Sequence, residues 1–381
     1  MNYILERRTA LTRALKTHGV EAFLVTTAVN VTYLTGFTGE DTYFTTVKNG
    51  LLISDSRFEE QIKDECSDLD AHIRPHNRTT LEAAAEVLTK AGVKSVGVEG
   101  NRITLGELEQ LKALAPKINF VPLNGVIEAQ RVIKDPSEVQ KIEDSVRVAE
   151  RAFRMFVATL RETDTEKEMV DALENYIRRA GARGSSFPPI VAVGERGALP
   201  HAPPTNRPLG EGSKLLVDWG ADLLYKSDLT RTLRSPFGTA PSRRNKMERV
   251  GYDFEEIYQV VLTAQNAALA MIRPGVKAKD VDAAARKAIA TAKIHRAPEG
   301  NLADYFTHGL GHGIGLEVHE APKIRANSED VLESGMVVTI EPAIYIPGWG
   351  GVRIEDDVLV THDGYRLLST LPREISTFAV V

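Results

Sequence analysis

The sequence predicts two domains in series, an α/β domain over residues 1–133 and an α+β domain over residues 134–381. Three observations carry this reading. The first third alternates short apolar runs with amphipathic helical runs, the chain changes character at Asp135-Pro136, and the remainder places helices ahead of paired strands that carry carboxylates. At 381 residues the chain is long for one core and comfortable for two.

In the first domain an amphipathic helix to His18 turns Ile4, Leu11 and Leu15 inward and stops at Gly19. The apolar strand Ala22-Phe23-Leu24-Val25 follows, then Gly50-Leu51-Leu52-Ile53-Ser54 and a charged helix from Arg57 to about Cys66. A helix over 80–91, a strand Ser95-Val96-Gly97-Val98 and a helix opening at Thr104 complete the alternation, which suits a mixed or parallel sheet. Proline disfavours the helical conformation in the residue before it, so Asp135 is read as an N-cap and Pro136 as the first turn of the next helix. That helix runs to about Leu160, and a second spans about 165–180. Strand pairs over 215–232 and 336–360 are separated by helices near 250–272 and 278–293.

Composition narrows the class. The chain is 43% hydrophobic and 26% charged with a formal net charge of -5, which suits a globular protein and gives no basic footprint for nucleic acid. No apolar run has the length of a membrane span. The N-terminal segment is charged through its first two turns and lacks the apolar core of a secretory signal, although its arginines and scarce acids leave an organelle-targeting reading open. The lone Cys66 excludes an internal disulfide or a thiolate metal cluster, its surroundings resemble no cysteine-protease context, and the cytosol is the expected compartment.

Three segments concentrate carboxylates and histidines beside apolar strand residues. In Leu215-Leu216-Val217-Asp218-Trp219-Gly220 and Ser227-Asp228-Leu229-Thr230-Arg231-Thr232, aspartates interrupt strand-forming runs. A hairpin about Leu223 sets Asp218 opposite Asp228 on one face. Buried paired carboxylates are costly unless a cation sits between them. The alternative is that Asp218 ends a strand and Asp228 pairs with Arg231.

In the run from His308 to Glu320, His308 and His312 are four apart, but Gly309 stands where a helical zinc motif needs glutamate. Glycines at 309, 311, 313 and 315 make a helix improbable and let the backbone approach a ligand closely. In the third segment, Val338-Thr339-Ile340-Glu341-Pro342-Ala343-Ile344-Tyr345-Ile346 turns at Pro347-Gly348-Trp349-Gly350-Gly351 into Val352-Arg353-Ile354-Glu355. A hairpin centred on Gly348 puts Glu341 opposite Glu355 and Ala343 opposite Arg353. The alternative is a surface ion-pair ladder through Arg353. Taken together, four carboxylates and an imidazole suit a pair of divalent cations such as manganese, cobalt or zinc.

These segments resemble the signature motifs of the creatinase/methionine-aminopeptidase superfamily, most closely its Xaa-Pro aminopeptidase and prolidase branch. Ala198-Leu199-Pro200-His201-Ala202-Pro203-Pro204-Thr205 resembles the histidine motif of that branch, and the run from Asn30 to Gly39 resembles its creatinase-like N-terminal domain. The resemblance implies a pita-bread catalytic domain, two divalent ions (manganese first, cobalt or zinc as alternatives) and a homodimer acting on short proline-containing peptides. It implies Asp218, Asp228, His312, Glu341 and Glu355 as metal ligands, with Asp228 and Glu355 bridging and Glu341 also taking the proton of the attacking water. His319 and His308 then steady the tetrahedral intermediate or hold substrate, and His201 contacts the peptide. Arg353 orients Glu355 or engages substrate, and Tyr345 lines the proline pocket.

Two positions depart from the family pattern. Asp218 and Asp228 are ten apart, one fewer than in the family, which requires an odd-length turn or a bulge. Ala343 replaces the glycine that follows Glu-Pro, which narrows the pocket. The implied activity is cleavage before proline, read as an aminopeptidase, with a dipeptidase or a non-peptidase hydrolase or lyase as alternatives. Creatinase-type amidinohydrolases work without metal and lack the full ligand set, and a metal-free binding protein has no need of one. All five residue types stand in place here.

Overall fold

The computed structural model describes residues 3–237 and 252–375. The chain divides into two compact units, Met1–Arg131 and Val132–Val381.

The first unit runs α1 (Tyr3–Thr17), β1 (Ala22–Val25), α2 (Ala28–Thr35), β2 (Tyr43–Thr45), β3 (Leu51–Ser54) and α3 (Glu59–Glu65). It continues with β4 (Asp70–Ile73), α4 (Thr80–Ala91), β5 (Ser95–Glu99), α5 (Leu105–Leu114), β6 (Asn119–Leu123) and α6 (Glu128–Arg131). Its strands form a mixed sheet ordered β4-β3-β2-β1-β5-β6. The β1–β5, β5–β6 and β3–β4 pairs are parallel, and β2 lies antiparallel to both neighbours. Capping boxes at Thr79/Glu82 and Thr104/Glu107 start α4 and α5 by satisfying backbone N–H groups that the first turn leaves free. In α1, Leu11 and Leu15 are buried as the pattern predicts, but so are Arg7 and Arg8. Arg7 donates to the Tyr33 carbonyl at 3.0 Å and lies over the Tyr33 ring, so its charge is balanced locally. Cys66 is buried against the Thr35 carbonyl, and burial raises its thiol to about 11, which keeps it unreactive.

The second unit opens as the sequence predicts. Asp135 caps α7 (Pro136–Thr159) by accepting from the N–H groups of Ser137 and Glu138, with Pro136 in the first turn. Thr165 caps α8 (Glu166–Arg179) in the same way. Short strands β7 (Gly184–Ser185) and β8 (Ile190–Val193) precede β9 (Lys214–Trp219), β10 (Ala221–Leu223), β11 (Tyr225–Lys226) and β12 (Leu229–Arg234). Helices α9 (Phe254–Leu269) and α10 (Ala278–Ala290) follow, residues 250–251 of the expected helix lying outside the described residues. The chain then forms β13 (Gly311–Gly313), β14 (Glu320–Ile324), β15 (Val337–Ile340), β16 (Ala343–Ile346), β17 (Gly350–Arg353), β18 (Asp356–Val360) and β19 (Tyr365–Leu367). Every strand pair recorded in this unit is antiparallel, including the sheet β14-β13-β15-β18-β19 and the three-stranded β12-β9-β8.

Helices cover these sheets with apolar stripes at helical spacing. Ile142, Val146, Ala149, Phe153 and Phe156 of α7 are all buried, and the Phe153 ring stacks on Trp219 at 4.0 Å. The Trp219 indole N–H donates to the Ala149 carbonyl at 3.0 Å, fixing α7 over the strand that carries Asp218. On α9, Ile257, Val261, Ala264 and Ala268 join Val338, Ile340, Ile344 and Val352 in one core. The strands bearing the acidic residues are therefore braced by helices.

Two glycines allow the strands to approach closely. A Cβ on Gly311 would lie 1.9 Å from the Thr339 carbonyl oxygen, and one on Gly220 would lie 1.8 Å from that of Ser227. Gly311→Ala is expected to lower stability by about 2 kcal/mol or more, because backbone must move. Gly364→Ala, with no atom closer than 4.0 Å to the added Cβ, is expected to change stability by under about 0.5 kcal/mol. Urea unfolding midpoints compare the two, and equal midpoints would show that the strands have room to spare.

Candidate metal centre and substrate cavity

Asp218 is buried on β9 between Val217 and Trp219, with Thr230 directly opposite on β12. The sequence reading set Asp228 opposite Asp218 about Leu223, and the structure shifts that register by two. The turn pivots on Leu224, whose φ is +90°, with Asp222 paired to Lys226 and accepting from the Leu224 N–H at 2.9 Å. This is the odd-length turn that the ten-residue spacing required. Because side chains alternate with period two, the shift leaves Asp228 diagonal to Asp218 on the same face. Asp228 just precedes β12, and its own N–H donates to Asp357 Oδ2 at 3.1 Å.

The second hairpin has the register its centre at Gly348 predicts. Ala343 pairs with Arg353 in β16–β17, and Ile340 pairs with Asp356 in β15–β18. One register runs through both ladders, so Glu341 and Glu355 face each other at the junction. Thr230 joins the hairpins: its carbonyl accepts from the Glu355 N–H at 3.1 Å, and its hydroxyl donates to Glu355 Oε2 at 2.7 Å. Ala343 is fully buried in the core and is not a lining residue of the cavity into which this site opens.

The glycine-rich run supplies His312 from β13, opposite Lys323 of β14. Within that run 311–313 is strand and Glu320 opens β14, and the register shifts after His312. His312 Nδ1 lies 3.1 Å from the Gly313 carbonyl, to which it donates as N–H. Nε2 then turns its lone pair toward Glu341 Oε1 at 3.5 Å and Asp228 Oδ2 at 3.7 Å. Asp228, His312 and Glu355 each offer a ligand atom within 4.8 Å of one another.

Neither the Asp228–Arg231 pair nor a surface ladder through Arg353 is formed. Arg231 pairs with Asp356 at 2.7 Å and donates to the carbonyls of Thr230, Glu355, Leu371 and Pro372, leaving Asp228 to the cluster. Arg353 donates to Asp218 Oδ2 at 2.5 Å, to Thr230 Oγ1 at 3.0 Å and to the Tyr345 hydroxyl, so it reaches Glu355 only through Thr230. Asp218 Oδ1 is buried with no hydrogen-bond partner. Burial and neighbouring carboxylates raise Asp228 and Glu341 well above the ordinary range and Glu355 to about 8. Burial lowers His312 to about 3, keeping it a neutral donor. Oxygen donors with an unpaired buried oxygen, raised acids and a neutral imidazole are what divalent cations take, so these residues fit a metal centre.

The cluster opens into a cavity of about 720 Å³. Asp218, Asp228, His308, His312, His319, Glu341, Arg353 and Glu355 line it, as does His201 from the loop before β9. The His319 ring lies edge-on to His312 with centroids 4.4 Å apart. His308 faces Glu341 Oε2 at 3.7 Å, and burial lowers it to about 4. Tyr345 was expected to line the proline pocket and is not among the lining residues. It is buried behind His308, with its hydroxyl 2.9 Å from His308 Nε2. Phe187, Pro188, Pro189, Ile190 and Val318 add apolar lining to the same cavity. Lys323 and Arg325 also reach the cavity, and the sequence reading missed both. The Lys-Ile-Arg alternation in register with His312 was the available signal, whereas nothing local marked Phe187 as lining.

Residues 140–362 match the model of metallopeptidase family M24, and residues 7–133 match that of the creatinase/prolidase N-terminal domain. The chain belongs to metallopeptidase family M24. An Xaa-Pro dipeptidase of Pyrococcus horikoshii is 38% identical over 285 residues, 74% of this chain and 75% of that protein. The solved structure of an Xaa-Pro dipeptidase from Bacillus anthracis superposes with a TM-score of 0.85 at 32% identity, covering 98% of this chain and 99% of that one. An X-Pro aminopeptidase from Thermotoga maritima gives a TM-score of 0.83 at 32% identity, covering 96% and 99%. As an M24 member the chain joins a creatinase-type N-terminal domain to a catalytic unit of pita-bread fold.

The raised acids set a sign for pH dependence. Between pH 6.5 and 8, Glu355 keeps its proton in the metal-free fold, whose value is about 8, and loses it in the unfolded chain near the ordinary 4.5. The folded state then binds more protons, so its stability falls as pH rises through this window. The histidines, lowered in the fold, oppose this trend only in the lower part of the window, because imidazoles of the unfolded chain are already half deprotonated at 6.5 and lose the rest by about 7.5. Added manganese supplies the counter-charge instead, and the gain in Tm on adding it should be larger at pH 8 than at pH 6.5 by roughly a few degrees. A gain independent of pH would show that metal does not replace protons in this cluster.

Proposed function

We propose that this chain is an Xaa-Pro dipeptidase that hydrolyses the peptide bond preceding proline with two divalent cations, manganese first and cobalt or zinc as alternatives. The observation that carries the reading is one cavity holding both the carboxylate–imidazole cluster and the Lys323 ammonium, which could meet the free carboxylate of a C-terminal proline. A dipeptidase needs such a cation at the far end of its pocket. The dipeptidases among its relatives support the same reading. An aminopeptidase is the second reading, the one first expected from the sequence, favoured by the roomy cavity and the Thermotoga maritima neighbour.

In this proposal Asp218, Asp228, His312, Glu341 and Glu355 would hold the ions. The pair would supply a water nucleophile at neutral pH and draw charge from the scissile carbonyl. Glu341, raised by burial and by Glu355, takes the proton of the attacking water and returns it to the departing proline nitrogen. His319, exposed to the cavity, holds the oxyanion as the carbonyl becomes tetrahedral. His308, whose two ring nitrogens are engaged by the Gly309 carbonyl and the Tyr345 hydroxyl, helps hold the substrate by packing. His201 contacts the peptide backbone. Arg353 positions Asp218, and Tyr345 positions His308 from behind rather than touching substrate. The buried, single Cys66 suits the cytosol, and the homodimer implied by the family resemblance is the assembly we propose.

The test is hydrolysis of Ala-Pro and Ala-Ala by metal-stripped protein before and after adding manganese, cobalt or zinc. Metal-restored cleavage of Ala-Pro is expected, with Ala-Ala at least about tenfold slower. Lys323→Gln should raise KM for Ala-Pro about tenfold or more. Stoichiometric metal binding without cleavage by any of the three ions would rule this reading out.

A further inference from the structure

The ladder that presents His312 also sets two cations in a row. Lys323 stands opposite His312, and Arg325 lies two residues further on beside Gly309, where an added Cβ would sit 3.0 Å from that of Arg325. Ile324 between them is fully buried and ends β14, so Lys323 stands on the strand and the exposed Arg325 just past its end, and both line the cavity. Among the described residues neither cation is held by a side-chain hydrogen bond or a close ion pair; Glu320 and Glu341 are the acids whose charge Lys323 feels, and Arg325 is its cationic neighbour. Arg353 differs, since it is spent on Asp218.

The spacing has chemical meaning. Two strand residues span about 6.7 Å, whereas one residue of extended peptide spans about 3.5 Å. Arg325 therefore stands one to two substrate residues beyond Lys323, within reach of its long side chain. One carboxylate of a bound dipeptide satisfies one cation and leaves the other facing open cavity. At about 720 Å³ the cavity has the volume of a site for ligands larger than a dipeptide.

We propose that Lys323 and Arg325 form two successive anion subsites, so that the site takes peptides of two and of three residues with a free C-terminal carboxylate. The carboxylate of Xaa-Pro meets Lys323, and that of Xaa-Pro-Yaa meets Arg325. This rests on the peptidase reading above and makes Arg325 the residue that admits the longer substrate.

The experiment compares Ala-Pro-Ala with its C-terminal amide, using manganese-loaded wild type, Arg325→Gln and Arg325→Lys, with Ala-Pro as reference. Wild type should prefer the free acid over the amide at least about tenfold in kcat/KM, a preference that Arg325→Gln reduces toward unity and Arg325→Lys partly restores. Wild-type cleavage of Ala-Pro without Ala-Pro-Ala, or an acid preference undiminished in Arg325→Gln, would overturn the second subsite and leave the dipeptidase standing. Failure to cleave Ala-Pro and Ala-Pro-Ala alike would remove the peptidase reading and the subsite with it.

Discussion

Four carboxylates gathered around one neutral imidazole cannot all be ionised without positive charge among them, and the catalytic unit is arranged around that constraint. Asp228 and Glu355 are buried, Glu341 is largely so, and the Arg353 guanidinium among them is committed to Asp218. In water such charges would repel weakly, but inside a folded core their repulsion and lost hydration add up to a cost that only cations or protons can offset. The raised values of Asp228, Glu341 and Glu355 express the proton alternative.

What keeps the acids together is backbone register rather than side-chain pairing. The hairpin about Gly348 faces Glu341 with Glu355, the turn at Leu224 sets Asp228 beside Asp218, and Thr230 links the two hairpins through both its carbonyl and its hydroxyl. Gly311 lets β13 come close enough to bring His312 into the same space. Around this frame, Arg231 satisfies four carbonyls and Asp356, and Gln265 of α9 donates to Asp356 Oδ2 at 2.8 Å. The helix layer thereby reaches polar groups one step behind the cluster, so its packing and the geometry of the site are linked.

Much of this was legible in the sequence. Asp135-Pro136, the capping threonines at 104 and 165, and the symmetric turn about Gly348 each act locally, and each forms as its residues dictate. Other elements lacked a local signal. Helix α2 buries six of its eight residues, so it has no polar face to reveal a period. Strands β4 and β6 lie at sheet edges and have a single buried residue between them, and β2 is only three residues long. The Asp218–Asp228 register went astray because a left-handed Leu224 is a turn choice that non-glycine residues rarely make. Tyr345 was misplaced because alternation gives the face of a strand but not which neighbours stand between a side chain and the cavity.

The central claim is that this cluster holds two divalent ions, and metal content measures it most directly. Manganese-reconstituted protein, freed of loose metal and analysed by plasma mass spectrometry, should carry two ions per chain, and Glu355→Gln should carry no more than one while remaining folded by circular dichroism. Two ions retained in Glu355→Gln, or full peptidase activity in wild type carrying none, would contradict the account.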